Sequence, residues 1–114
     1  IVDAIKVSVE ALDECVAKLI ETVSALSGVT VITADHGNAD EMFTEKNGKR
    51  VVKTAHTLNP VPFIIVDSQY QGEYQMASLA HRGLSNVAAT LLNLLGLEKP
   101  DHYDPSLITF KIKK

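Results

Sequence analysis

The sequence contains a single cysteine, Cys15. An internal disulfide is therefore excluded, and nothing asks for an oxidising compartment. A cytoplasmic protein is the default expectation. The apolar runs are all far shorter than the roughly 20 residues that cross a bilayer, and the first residues lack the basic-then-apolar pattern of an export signal. No membrane partner is expected. Basic residues are sparse: Lys and Arg number 11 against 14 Asp and Glu, the formal charge is −3, and the tail group Lys111, Lys113 and Lys114 is the densest basic cluster. That distribution gives no electrostatic footprint for nucleic acid. An initiator methionine is also missing, and Ile1 runs straight into a helical pattern, which reads as a piece of a longer protein.

The composition suits a packed domain. With 114 residues and 46% apolar content, the chain can form at most one domain with a modest core. Val2, Ile5, Val9, Leu12, Val16, Leu19, Ile20, Val23 and Leu26 recur at three- and four-residue steps, predicting an amphipathic helix over 2–26 closed by Gly28. Cys15 sits beside this stripe and is read as a packed thiol without a basic neighbour to activate it. The β-branched run 29–34 predicts a strand buried on both faces, as in a parallel sheet covered by helices. Asn47-Gly48 between two β-capable runs predicts a tight hairpin. A second buried strand is expected over 61–66, with Pro62 near its start or on an unpaired edge. Residues 67–82 read as a surface connection with a short edge strand. Ser85 offers an N-cap to a helix through Val87, Ala88, Leu91, Leu92 and Leu95, with Gly96 as its stop. The remainder is irregular, with a short apolar run at Leu107, Ile108 and Phe110. The fold class expected is α/β, layered, with a mostly parallel sheet flanked by helices.

The sharpest chemical feature is Asp35-His36 at the end of the first predicted strand. Ligand crevices of open α/β sheets lie beyond the carboxyl ends of the strands. Neighbouring side chains of a regular strand point to opposite faces, but Gly37 tolerates the backbone angles that turn both toward one ion. A mixed oxygen and nitrogen set suits Mn²⁺, Zn²⁺, Fe²⁺ or Co²⁺ better than Ca²⁺. His56 follows after a hairpin excursion that can close in space. From the residues alone another reading stands beside this one: Asp35 and Asn38 cap a short helix, and His36 and His56 are ordinary loop residues. Metal-free acid–base work by the histidines is a third. His81 beside Arg82, and His102, read as solvated loop residues. Lys49, Arg50 and Lys53 read as a solvated hairpin edge, and Asp40 and Glu41 as exposed acids.

The wording of the motifs goes further than their spacing. The run from Thr33-Ala34-Asp35-His36-Gly37-Asn38 to Ala39-Asp40-Glu41-Met42, followed by His56-Thr57-Leu58-Asn59-Pro60-Val61-Pro62-Phe63, closely resembles two C-terminal signature segments of the cofactor-independent phosphoglycerate mutases. Upstream, Glu10 to Val16 looks like the helix before that family's metal strand. Downstream, the likeness extends through Gly83 to Gly96 and Tyr103 to Ile108. The resemblance implies that residues 1–114 are the C-terminal portion of a metal-binding, alkaline-phosphatase-like α/β domain. It also implies interconversion of 3-phosphoglycerate and 2-phosphoglycerate through a phosphoserine, without a bisphosphoglycerate cofactor. Two divalent ions are implied, Mn²⁺ foremost, with Mg²⁺ or Co²⁺ in some members. Asp35 and His36 would hold the ion that contacts the serine nucleophile, and His56 the other.

The family's nucleophilic serine segment, its second ligand set and its substrate-clamping domain have no counterpart in these residues. The resemblance thus assigns no catalytic residue here, and the 114 residues alone are expected to be inactive. Phosphoglycerate would be bound through the missing domain. The longer protein would be a monomer, whereas the piece could self-associate through apolar faces left open. Two alternatives are another alkaline-phosphatase-like phosphomutase or hydrolase, and a non-catalytic metal-binding module.

Overall fold

A computed structural model describes residues 2–37, 43–52 and 58–111, with the backbone alone for Thr44, Val51 and Val52. The chain divides into two units, Ile1–Ser68 and Gln69–Lys114.

In the first unit the apolar stripe of the N-terminal segment forms helix α1, Val2–Ala25. Its end is a Schellman motif: the Gly28 N–H donates to the Val23 carbonyl at 2.9 Å and the Ser27 N–H to the Ser24 carbonyl at 3.0 Å. The left-handed residue is Ser27, at φ 58°, and not the glycine. Gly28 serves a different need, because a Cβ there would lie 2.7 Å from Val23 Cγ1. Strand β1, Val29–Thr33, follows directly and packs against α1. Val2, Ile5, Val16, Ile20 and Val23 of the helix are half-buried. Val9, Leu12 and Leu19, on the same stripe, remain exposed, as does Cys15. The expected packed thiol is thus corrected to an exposed one, because no described element covers that part of the helix.

A hairpin comes next, β2 (Phe43–Lys46) paired antiparallel with β3 (Lys49–Val52). Asn47 and Gly48 both have positive φ, 55° and 75°, as a type I′ turn requires. The Arg50 guanidinium lies 3.8 Å from the centre of the Phe43 ring, a cation–π contact across the hairpin. Strand β4, Phe63–Asp67, then pairs with β1 from Thr33↔Phe63 to Val29↔Asp67. The α/β class holds, but this pairing is antiparallel where a parallel one was expected. The reason is the connection: a parallel pair needs a crossover to the opposite end of the strand. Here the connection contains an out-and-back hairpin, and the chain re-enters beside the end of β1 that it left.

The second unit opens with β5, Tyr74–Met76, the short edge strand expected in 67–82, and it pairs antiparallel with β6, Ile108–Phe110. Tyr74 bridges the rings of Tyr70 and Phe110, at centroid distances of 4.9 and 5.8 Å. A 3₁₀ turn at Leu84–Asn86 leads into helix α2, Val87–Leu94. Asn86, not Ser85, organises that start. Its Oδ1 accepts the Gly83 N–H at 2.8 Å, and its Nδ2 donates to the Pro105 carbonyl at 2.8 Å. Thr90 lies one turn on, fully buried. Its hydroxyl donates to the Asn86 carbonyl and accepts the Leu107 N–H, both at 2.8 Å. These bonds hold the segment before β6 against α2, and Leu107 and Ile108 are buried with Ala89 around them. Gly96, at φ 82°, closes α2 as the sequence predicts.

Candidate metal centre

Strand β1 delivers Asp35 and His36 immediately beyond its last paired residue, Thr33. The next residue on the β4 side is Pro62, which has no N–H to offer a ladder. The Thr33 hydroxyl donates instead to the Pro62 carbonyl at 2.8 Å, adding one cross-strand link past the backbone ladder. The two chain segments are thereby tied at the base of the long connection that carries Asp35 and His36 at one end. His56, near its other end, lies outside the described residues, as do Asn38, Asp40, Glu41 and Lys53.

Asp35 is turned to solvent, with 88% of its side chain exposed, while His36 is about one-third exposed and Gly37 is buried. The His36 Nδ1 lies 2.9 Å from the Gly37 carbonyl. A carbonyl only accepts, so Nδ1 is the donor here, which in the metal-binding tautomer leaves the lone pair at Nε2. Such a carbonyl bond at one ring nitrogen is the usual device that fixes the other for a metal. Nε2 is 3.5 Å from Asp35 Oδ1. Two donors bound to one tetrahedral ion at about 2.1 Å stand about 3.4 Å apart, so this pair has the chemistry and the spacing for a shared divalent cation. Among the described residues no cluster of three or more His, Cys, Asp or Glu is poised for a metal. Asp35 and His36 could therefore supply at most two donors of such a site, among the described residues.

His81 and His102 are exposed, and the His102 ring stacks edge-on to Tyr103 at 5.0 Å, so both behave as the solvated residues expected. Reading the motif alone passes over Thr33. The signal for it was the proline opposite, which predicts a break in the ladder that a hydroxyl can bridge.

The sequence pattern of the Metalloenzyme superfamily matches residues 2–99. The chain belongs to that superfamily. Within it the chain is similar to curated proteins named 2,3-bisphosphoglycerate-independent phosphoglycerate mutase. One from Clostridioides difficile is 48% identical over 95 residues, covering 82% of this chain and 18% of the relative. One from Trypanosoma brucei brucei is 44% identical over 111 residues, covering 89% of this chain and 20% of the relative. A protein of Leptospira interrogans, named as a probable enzyme of the same kind, is also 44% identical over 110 residues, with the same shares covered. A crystal structure of Leishmania mexicana phosphoglycerate mutase, determined at low cobalt concentration, superposes with a TM-score of 0.81 at 42% identity, over 90% of this chain and 21% of that one. The chain thus spans about a fifth of the length of the relatives it matches. At that identity the shared fold supports the alkaline-phosphatase-like α/β assignment for this metalloenzyme segment.

Proposed function

We propose that this chain supplies part of the metal-binding phosphatase domain of a 2,3-bisphosphoglycerate-independent phosphoglycerate mutase, interconverting 3-phosphoglycerate and 2-phosphoglycerate. The observation that carries the reading is the Asp35–His36 pair, 3.5 Å apart at the end of β1, in a segment similar to those mutases. Asp35 and His36 would hold one divalent ion and His56 a second, with Mn²⁺ as the metal in both places. Bound there, the ions would neutralise phosphoryl oxygens and lower the pKa of a hydroxyl nucleophile. The chain's own part is to present the ligands. The Gly37 carbonyl fixes the His36 tautomer, and the exposed carboxylate of Asp35 adds the negative charge that balances the cation. The residues present contain no nucleophile segment and no substrate clamp, so the 114 residues alone are expected to be inactive. The same reading puts the whole protein in the cytoplasm, acting as a monomer on phosphoglycerate. Among the described residues no helix is long and apolar enough to cross a membrane.

The test uses the whole protein, stripped of metal and assayed for conversion of 3-phosphoglycerate before and after Mn²⁺ is restored. Loss of a group that merely orients a ligand costs 10- to 100-fold, so Asp35→Asn and His36→Ala, which remove ligands outright, are each expected to lower kcat/KM by more than about 100-fold. Undiminished turnover in either variant would sink the assignment. Hydrolysis of phosphomonoesters without mutase activity would shift it to another alkaline-phosphatase-like enzyme.

A further inference from the structure

We infer that Thr33 is a positioning residue for the metal pair, acting through its hydroxyl bond to Pro62; the inference rests on the reading of Asp35 and His36 as ligands. In an antiparallel pair alternate residues secure the neighbour strand through backbone N–H and C=O groups. The β1–β4 ladder ends here, and Pro62, the next residue on the β4 side, has no N–H with which to extend it. The last paired residues are Thr33 and Phe63, two positions short of Asp35. The next backbone pairing among the described residues is an isolated bridge at Gly37, so Ala34, Asp35 and His36 lie between that bridge and the end of the ladder, and a link at Thr33 shortens the stretch free to move. The Thr33 hydroxyl supplies that link at 2.8 Å, across 29 residues of sequence, to the carbonyl that precedes Phe63.

The shape of the side chain alone does not explain the contact. Thr33 is exposed, so burial of its methyl group contributes little there. What it adds is one directional bond at the mouth of the connection on which Asp35, His36 and His56 all lie. Removing such a bond leaves the strands paired but loosens the backbone that leads from Thr33 to Asp35. The metal then has to restore the ordering on binding, which lowers its affinity.

Two substitutions separate hydroxyl from shape. Thr33→Val keeps the β-branched outline and removes the donor, whereas Thr33→Ser keeps the donor and removes the methyl group. Mn²⁺ is titrated into the metal-free whole protein and free Mn²⁺ is followed by electron paramagnetic resonance. Thermal unfolding of the metal-free forms is recorded alongside, and Asp35→Asn serves as the reference for a lost ligand. Thr33→Val is expected to weaken Mn²⁺ binding by about three- to tenfold, the range of one net hydrogen bond, and Thr33→Ser by less than about twofold. Equal affinity in Thr33→Val and wild type, with Asp35→Asn impaired, would overturn the role of Thr33 and leave the metal site standing. Wild-type affinity in Asp35→Asn would overturn the metal site itself. Should Thr33→Val fail to fold, Thr33→Ser still decides: affinity lost in the serine variant means that shape, not the hydroxyl, is what matters.

Discussion

Ser27 sits at φ 58°, a left-handed conformation that costs a residue with a Cβ roughly 1–2 kcal/mol and costs glycine almost nothing. Ser27→Gly is therefore expected to raise stability, by about 0.5–1 kcal/mol once the greater freedom of glycine in the unfolded chain is deducted; urea denaturation of the whole protein measures it. The neighbouring change has the opposite sign. Gly28→Ala would bring a methyl group to 2.7 Å from Val23 Cγ1 and 3.2 Å from the Val23 carbonyl oxygen, so it should lower the same midpoint. The sequence locates the helix end correctly but assigns the left-handed turn to Gly28. The general preference for glycine at that position is statistical, while the contact that reserves Gly28 for the next position depends on where Val23 points. The same holds at the candidate site. Asp35 and His36 stand out because their side chains carry the chemistry. Thr33 does not, because its partner is a backbone carbonyl distant in sequence.

At the scale of elements, the hairpin and both helices are legible, since each is set by local rules: three- and four-residue periodicity, Asn-Gly in a type I′ turn, and a glycine stop. The way α2 is fastened to the tail is not. Asn86 and Thr90 look like ordinary helix-start and helix-interior residues, yet Thr90 is fully buried and receives the Leu107 N–H. Thr90→Val preserves volume and strands that N–H, so it should destabilise the protein by about 1–3 kcal/mol. Thr90→Ser, which keeps both bonds, should cost less than half as much. Calorimetric melting of the two variants in parallel checks this, and equal losses would show that the methyl group, not the hydroxyl, fastens the tail. Strand direction was not legible either. A run such as Val29–Thr33 announces a strand, but its parallel or antiparallel sense belongs to the connection.

For the molecule as a whole, the α/β class follows from the alternation of patterns, but the depth of burial does not. Val9, Leu12 and Leu19 continue the stripe that α1 presents to β1, and they are 51%, 62% and 61% exposed. Apolar rows of this kind ordinarily mark a surface that another layer covers. The 114-residue chain on its own is accordingly expected to self-associate as its concentration rises. Sedimentation velocity would show it, and Leu12→Lys with Leu19→Lys should restore the monomer. Another consequence belongs to the pairing of β1 with β4. The bond from Thr33 to Pro62 joins positions 29 apart, and closing a loop of that length carries an entropy penalty of about 3 kcal/mol before any contact repays it. The hairpin between them needs no such closure and can form early. The kinetic barrier to the folded state should therefore lie at the joining of β1 and β4, making the ends of the segment that carries Asp35 and His36 among the last parts of the chain to meet.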